Sequence, residues 1–319
     1  MKTRALRLGQ IELQVIEAGE GPLVLLIHGF PELAISWNAQ IKALSEAGYR
    51  VIAPDMRGYG GSDKPADTTH YGIHDLVGDL IALIAAVDET DAILIGHDWG
   101  ASVAWQAALM RPDLFRAVAC LSVPFQPRRE RGPPTEVMAY LSQKAGLGDL
   151  YIRRFQDPGA HLPFEADVEL TLRKLFWAFD GSTPPQDRVT GFIPEGRDML
   201  DEVRDDPPLP PWLRPEQFSH YARAFTDGGF KGPFDWYRNI DQNWADTQAY
   251  QGQRVSVPAL YMVGEHDPTR RYVGAQEAQL ARWVTDLRGH ITVPDAGHWL
   301  QQEAPETVNA ALLAFLKSL

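Results

Sequence analysis

The stretch Gly96-His97-Asp98-Trp99-Gly100 decides the fold of this chain. An apolar run at 92–95 precedes it, and a helix-like segment at 101–110 follows it. A strand that enters a helix through a turn with glycine two residues before and two residues after one polar residue presents that residue as a nucleophile. The usual residue at the centre of such a turn is serine, whereas here it is Asp98.

The aspartate changes the chemistry that this turn can carry out. A serine needs a base before it can act as a nucleophile, whereas a carboxylate is ionised at neutral pH and can displace a leaving group directly from a saturated carbon. Asp98 therefore argues against ordinary ester hydrolysis. It favours the opening of an epoxide or the removal of a halide.

Length and composition indicate a soluble enzyme. With 319 residues, 45% of them hydrophobic, the chain can bury a large core. Its net charge of −12 argues against nucleic acid or an anionic membrane surface as a partner, and no apolar run reaches the roughly 18 residues of a membrane span. No signal peptide is recognisable, and the single cysteine, Cys120, lies in an apolar run. We therefore expect a cytoplasmic protein.

Apolar strand-like runs alternate with helical patterns along most of the chain, which predicts an α/β fold with a mostly parallel sheet and helices on both faces. The predicted strands are Ile11–Glu17, Leu23–Ile27, Arg50–Pro54, Ala92–Ile95, Ala117–Ser122, Ala259–Val263 and His290–Val293. The predicted helices are Trp37–Ala47, Ile73–Val87, Ala101–Met110, Thr269–Trp283 and Pro305–Lys317.

The alternation stops after Val123 and resumes at about residue 254. Between these points, proline-rich stretches at 131–134, 182–185 and 206–211 separate short helical pieces. The simplest organisation is a core formed by 1–123 and 254–319, with 124–253 inserted as a mainly helical lid over the site. A separately folded second domain is the alternative.

Six motifs in one order extend along the chain. They are His28-Gly29-Phe30-Pro31-Glu32, Asp55-Met56-Arg57-Gly58-Tyr59-Gly60, the turn at Asp98, residues 228–239, Gly264-Glu265-His266-Asp267 and Gly297-His298-Trp299. With this order and spacing the chain resembles the soluble-type epoxide hydrolases of the α/β-hydrolase fold over essentially its whole length. The resemblance implies a core with an inserted helical lid and a hydrolytic reaction without a cofactor.

Two further residues are expected to complete a catalytic set with Asp98. In this fold the nucleophile, an acid and a histidine follow one another along the chain. Asp267 follows one predicted strand and His298 follows the next, so both reach the carboxyl edge of the sheet, where ligands bind. We take Asp267 as the acid and His298 as the base, with Glu265 and Asp295 as alternative acids. The run at 265–267 could suggest a metal site, but no second group of ligands supports it.

The resemblance also implies the residues that stabilise charge. One oxyanion-hole N–H comes from Phe30 and the other from Trp99, directly after the nucleophile, and the Phe30–Pro31 bond is expected to be cis. Tyr151 and Tyr237 in the lid match the two phenols that assist ring opening, because tyrosine stays protonated at neutral pH and can donate a hydrogen bond. Tyr140 and Tyr221 are the fallback candidates for that role.

The aromatic residues near these motifs suit an apolar substrate. The residues expected to line its pocket are Phe30, Trp37, Trp99, Phe234 and Trp236. The alternative for each except Trp99 is that it packs the lid against the core.

The sequence therefore predicts an epoxide hydrolase whose partners are a small apolar epoxide and water. Asp98 would form an alkyl ester, which water activated by His298 would hydrolyse to a vicinal diol. One alternative is a haloalkane or haloacetate dehalogenase, although Trp99 and Val103 stand where haloacetate dehalogenases carry arginines, and Glu32 stands where haloalkane dehalogenases place a halide donor. A non-catalytic ligand receptor is the other alternative. The oligomeric state stays open, with a homodimer as one hypothesis.

Overall fold

The central sheet organises the computed structural model, which describes residues 1–130, 132–146 and 148–319. Eight strands form this sheet in the order β1-β2-β4-β3-β5-β6-β9-β10. They are β1 (Lys2–Leu8), β2 (Ile11–Ala18), β3 (Leu23–Ile27), β4 (Arg50–Pro54), β5 (Ala92–His97), β6 (Phe115–Leu121), β9 (Ala259–Gly264) and β10 (Leu287–Val293). β2 is antiparallel to both β1 and β4, and the pairs from β4 to β10 are parallel.

The inner parallel strands are buried on both faces, which explains their nearly continuous apolar sequences, whereas the edge strand β10 is partly exposed. Every residue of β3 and of β5 is buried. Successive side chains of a strand point to opposite faces, so Leu23, Leu25 and Ile27 belong to one hydrophobic core while Val24 and Leu26 belong to another. The mostly parallel sheet predicted from the apolar runs is therefore confirmed.

Helices cover both faces of the sheet. The core helices are α1 (Asn38–Glu46), α2 (Ile73–Ala86), α3 (Trp99–Met110), α11 (Arg270–Glu277), α12 (Leu280–Trp283), α13 (Leu300–Glu303) and α14 (Pro305–Lys317). Buried residues of α1 and α14 pack on one face of the sheet, and those of α2 and α3 pack on the other. The single helix predicted over 269–283 is broken into α11 and α12. Among the described residues, no helix combines the length and apolarity that crossing a membrane requires.

The chain between β6 and β9 is mainly helical. Its helices are α4 (Pro134–Ala145), α5 (Tyr151–Arg154), α6 (Leu162–Ala166), α7 (Val168–Ala178), α8 (Pro215–Gly228), α9 (Lys231–Arg238) and α10 (Ile240–Asp246), with a two-stranded sheet of β7 (Asp149–Leu150) and β8 (Phe192–Ile193). Strands of two residues are too short to produce a sequence pattern, so this sheet was not predicted. Residue 131, in the first proline-rich stretch, lies outside the described residues. The boundaries 124 and 253 stay a prediction, and we call 124–253 the insertion.

The turn between β5 and α3 has an unusual backbone. Asp98 has φ 52° and ψ −119°, a conformation that residues other than glycine rarely adopt. The turn closes only because its flanking residues lack Cβ atoms: a Cβ on Gly96 would lie 2.3 Å from the Gly100 carbonyl oxygen, and a Cβ on Gly100 would lie 2.0 Å from that of Ile27. The glycines two residues before and after Asp98 thus allow helix α3 to start directly against β3.

A Gly100→Ala substitution is expected to lower the free energy of unfolding by more than about 2 kcal/mol, since the added methyl group overlaps backbone that cannot move freely. The matched control is Gly78→Ala in α2, where a Cβ would meet nothing within 4 Å. That change should stabilise the protein by about 0.4–1 kcal/mol. Urea unfolding of both variants measures the difference, and equal stability of the two would contradict the packing argument.

Candidate active site

Three distant segments place Asp98, Asp267 and His298 together at the carboxyl edge of the sheet. Asp98 follows β5, Asp267 follows β9, and His298 follows β10. His298 and Asp267 are each only 3% exposed. The edge of a parallel sheet collects the residues that follow its strands, which is why His298 contacts two carboxylates that lie 31 and 200 residues before it in the sequence.

The His298 imidazole lies between the two carboxylates. Its Nδ1 is 3.2 Å from Asp267 Oδ1, and its Nε2 is 3.6 Å from Asp98 Oδ2. A histidine hydrogen-bonded through Nδ1 to a buried carboxylate is held in one orientation and one tautomer, with Nε2 free to accept a proton. The arrangement can therefore support a base that acts beside Asp98.

Asp267 is ionised in this setting although it is buried. Burial by itself would raise the pKa of its carboxyl group, but the nearby His298 and hydrogen bonds from His298, Ser122 and the Thr269 N–H lower that pKa to about 2. The Thr269 N–H lies 2.9 Å from Asp267 Oδ1. Asp267 thus presents a fixed negative charge to the imidazole at every pH at which the protein would be assayed.

Ser122 is a member of this group that the sequence analysis did not identify. Its hydroxyl Oγ lies 3.0 Å from His298 Nδ1 and 3.4 Å from the Thr269 hydroxyl. Ser122 follows β6 with a positive φ of 71°, and its carbonyl accepts a hydrogen bond of 2.8 Å from the Tyr261 hydroxyl. A lone serine at the end of an apolar run carries no sequence signal, because only the folded sheet brings it beside the histidine.

One of the two expected oxyanion-hole groups contacts the Asp98 carboxylate. The Phe30 N–H donates a hydrogen bond of 2.9 Å to Asp98 Oδ1, and the Phe30–Pro31 peptide is cis, as expected. Trp99 is the first residue of α3, where a backbone N–H has no partner within the helix. The Phe30 N–H can hold negative charge on Asp98 Oδ1, and the same role for the Trp99 N–H stays a prediction.

Two cavities open on Asp98. The larger has a volume of about 420 Å³, is mainly apolar, and is lined by Asp98, Trp99, Tyr151 and Tyr237 together with residues of α3, α4 and α11. The smaller has a volume of about 20 Å³ and is lined by Asp98, both tyrosines, Phe30 and His298 among others. The rings of Tyr151 and Tyr237 are 6.1 Å apart. Both predicted tyrosines therefore share a cavity with the predicted nucleophile.

Comparison with known proteins agrees with this geometry. The profile of the α/β hydrolase fold family matches residues 22–175. The chain is 42% identical over 317 residues to epoxide hydrolase A of Mycobacterium tuberculosis (strain ATCC 25618 / H37Rv), which covers 97% of this chain and 95% of that protein. The chain belongs to the epoxide hydrolase family. The family and the fold class predicted from the motifs are confirmed.

Solved structures of this family superpose on the whole chain. An epoxide hydrolase from an endophytic Streptomyces matches with a TM-score of 0.95 and 36% identity, over 99% of this chain and 95% of that one. Epoxide hydrolase A from Mycobacterium thermoresistibile matches with a TM-score of 0.90 and 39% identity, over 99% and 98% of the two chains. The insertion is part of this common architecture, because the matches extend across it.

Three of the expected pocket residues lie away from both cavities in this epoxide hydrolase. Trp37 is fully buried in the core on the α1 and α14 face of the sheet, so the prediction that it lines the pocket is wrong. Phe234 is buried against Phe155, at a ring separation of 4.2 Å, and Trp236 donates its indole N–H to the Arg57 carbonyl at 3.1 Å. These two residues pack the insertion, which was the stated alternative for them.

The fallback tyrosines are also separate from Asp98. Tyr140 is 63% exposed on α4, and Tyr221 is buried in α8 without lining either cavity. Besides Tyr151 and Tyr237, two other tyrosines line the larger cavity: Tyr250, and Tyr272 on α11. The sequence predicted neither of them, because nothing in the sequence around either residue indicates that it reaches the site.

A buried ion pair contacts the backbone of His298, the predicted base. His97 Nδ1 is 2.6 Å from Glu32 Oε2, and His97 Nε2 lies 2.7 Å from the His298 carbonyl. Burial opposes a charge on either group, yet Glu32 raises the pKa of His97 and His97 lowers the pKa of Glu32. The other oxygen of Glu32 accepts hydrogen bonds from the Gln301 and Gln302 side chains at 2.9 and 3.0 Å. The pair therefore holds the backbone of His298 in place through its carbonyl oxygen.

In the part of the chain that the structure describes, one group of side chains has the spacing of metal ligands: Glu265, His266 and Asp295, whose ligand atoms lie within 4.8 Å of one another. Glu265 and Asp295 are exposed, and the Glu265 carboxylate accepts the Asp295 N–H at 3.2 Å. Asp267 is not in this group, since its carboxylate contacts His298. The two alternative acids, Glu265 and Asp295, thus lie together at the surface, away from His298.

A Glu32→Gln substitution is expected to lower the free energy of unfolding by about 3–5 kcal/mol, because it leaves the buried charge of His97 without its partner. Exposed Glu46 offers a control, and its change to glutamine should have an effect of less than about 0.5 kcal/mol. Chemical unfolding at neutral pH measures both. A Glu32→Gln protein as stable as the parent would mean that Glu32 and His97 do not form an ion pair.

Proposed function

We propose that this protein hydrolyses epoxides to vicinal diols in two steps, through an alkyl ester of Asp98. One observation carries the proposal: an aspartate at the strand–helix turn faces two tyrosines across a single cavity while a histidine contacts its second oxygen. The 3.6 Å separation of His298 Nε2 from Asp98 Oδ2 supports the hydrolytic role of that histidine. The family relationship supports the choice of substrate.

In the first step an Asp98 oxygen attacks a ring carbon and the carbon–oxygen bond of the epoxide breaks. The Phe30 N–H holds Asp98 Oδ1, so Oδ2 is the oxygen free to attack. Tyr151 and Tyr237 hydrogen-bond the epoxide oxygen, and one of the two phenols gives its proton to that oxygen, which leaves a hydroxyl group on the second carbon and a phenolate in the site. Burial raises the pKa of both phenols well above the usual value, which keeps them protonated and available as donors.

In the second step water attacks the carboxyl carbon of the ester. His298 removes a proton from this water, and Asp267 stabilises the imidazolium that forms. The small cavity between Asp98 and His298, about 20 Å³ in volume, has room for one water molecule with polar partners. The negative charge then develops on Oδ1, which already accepts the Phe30 N–H. When the tetrahedral intermediate collapses, the bond from the carboxyl carbon to Oδ2 breaks and the His298 imidazolium gives its proton to the departing alkoxide, so the diol is released. The proton left on the new carboxyl group returns to the phenolate, which restores Asp98 as a carboxylate.

The substrate class follows from the larger cavity. Its mainly apolar lining and its volume of about 420 Å³ suit a small apolar epoxide with an aromatic or alkyl substituent. Two phenols that face Asp98 favour an oxygen leaving group over a halide. We further propose a cytoplasmic location, which the buried and unpaired Cys120 in β6 supports.

A His298→Gln protein is expected to form the alkyl ester but to hydrolyse it at least about 100-fold more slowly, because the first step needs no base and the second does. After incubation with styrene oxide, intact-protein mass spectrometry should show one added substrate mass. Peptide mapping should locate that mass on Asp98.

The matched control is Asp98→Asn, which removes the nucleophile and should give no adduct and no diol. Diol formation by Asp98→Asn at the parent rate would reject the covalent mechanism. A parent protein that turns over no epoxide at all would reject the proposed activity.

Tyr151→Phe and Tyr237→Phe are each expected to slow ester formation by about 10- to 100-fold, since each removes one of two donors to the opening ring. The double variant should nearly abolish ester formation. Single-turnover measurement of ester formation separates this effect from hydrolysis, and Tyr140→Phe on the exposed face of α4 serves as the control. Unchanged ester formation in the double variant would exclude the tyrosine pair.

A further inference from the structure

Glu303 makes an unusual set of contacts close to His298. It is the last residue of α13, and its carboxylate accepts three backbone N–H groups: those of Gly297 at 2.7 Å, Trp299 at 2.8 Å and Gly181 at 2.9 Å. Gly297 and Trp299 flank His298 in the sequence. Gly181 belongs to the insertion, so one side chain holds two parts of the molecule together.

The two segments that Glu303 joins are in direct backbone contact. A Cβ on Gly297 would lie 2.3 Å from the Gly181 nitrogen, and a Cβ on Gly181 would lie 2.4 Å from the Gly297 nitrogen. The His298 N–H also donates a hydrogen bond of 2.9 Å to the Phe179 carbonyl. We call residues 179–181, residues 297–299 and Glu303 the junction.

The junction reaches the reacting groups through His298. The Phe179 ring lies 5.4 Å from the His298 ring and lines the small cavity beside Asp98. Since the backbone of 297–299 determines where the imidazole sits, the contacts of Glu303 affect the separation of His298 Nε2 from the ester and its water. None of the junction contacts involves Tyr151 or Tyr237, which assist the first step.

We propose that Glu303 is a positioning residue for the second step of the reaction, and that its carboxylate holds the His298 loop against the insertion. The proposal rests on the function proposed above. It goes further by assigning a role to a residue outside the catalytic set and by making the insertion part of the support of the base. A displacement of about 1 Å in a catalytic group can change a rate by about 100-fold, so a small relaxation of the loop is enough to be measured.

The test uses Glu303→Gln in the full-length protein, with Glu306→Gln as the matched control. Glutamine has the size of glutamate, but its NH₂ group would face backbone donors. Glu306 is exposed in the first turn of α14, and its substitution makes the same change of charge three residues away. Burial and Asp180 raise the pKa of Glu303 to about 7, so the rates are measured at about pH 8.5, where this carboxylate is ionised.

Stopped-flow tryptophan fluorescence with styrene oxide resolves the two steps, since Trp99 adjoins Asp98. In Glu303→Gln we expect hydrolysis of the ester to slow by about 10-fold or more and ester formation to change by less than about threefold. The ester should therefore accumulate in the steady state, as intact-protein mass spectrometry would record. Glu306→Gln should match the parent in both steps.

A second variant alters the junction from the side of the insertion. Gly181→Ala places a methyl group 2.3 Å from the Asp295 carbonyl oxygen and against Gly297, and leaves Glu303 intact. We expect the same selective loss of hydrolysis. This variant keeps the test decisive if Glu303→Gln fails to fold.

Equal slowing of both steps in the folded variants would assign Glu303 and Gly181 a purely structural role and overturn the proposal. Parent rates in both steps would overturn it as well. Failure of the proposed function is distinguishable from either result, because it would appear in the parent protein as an absence of ester or of diol.

Discussion

The backbone turn at Asp98 is the constraint on which the rest of the site depends. The chain leaves β5 at His97, turns sharply at Asp98, which has φ 52°, and enters α3 at the next residue. Backbone atoms occupy the space where side chains of Gly96 and Gly100 would lie. This tight packing fixes the Asp98 carboxylate against the Phe30 N–H, with His298 Nε2 3.6 Å from its other oxygen.

In the proposed reaction, some residues around the turn supply charge and others hold the base in position. Asp267 supplies a fixed charge to the imidazole, because its neighbours outweigh the cost of burying it. His97, which is paired with Glu32, contacts the carbonyl of His298. Glu303 accepts hydrogen bonds from the N–H groups of the two residues that flank His298 in the sequence. The base is thus fixed by its side chain and by its backbone. Such preorganisation reduces the rearrangement needed when the proton moves.

The insertion contributes to the site on two sides. It carries Tyr151 and Tyr237, whose phenols share a cavity with Asp98, and it carries residues 179–181, which touch the His298 loop. In the proposed reaction, ring opening requires a donor on the side of the substrate opposite the nucleophile, and the insertion supplies two phenols for that role. A fold that places its nucleophile on the core and its acids on an insertion can vary the substrate pocket while keeping the core unchanged.

Local patterns in the sequence were enough to predict the central strands, the turn at Asp98 and the chain order of Asp98, Asp267 and His298. Apolar runs and glycines act over a few residues, and the residues that follow parallel strands must meet at one edge. Only the tertiary structure decided which other side chains reach that edge. Trp37 is buried in the core on the α1 and α14 face of the sheet. Ser122 contacts His298 from 176 residues away in the sequence, Glu303 joins the His298 loop to Gly181, 122 residues before it, and Tyr272 shares a cavity with residues of the insertion. Their roles depend on packing between elements, and a sequence pattern of a few residues carries no record of that packing.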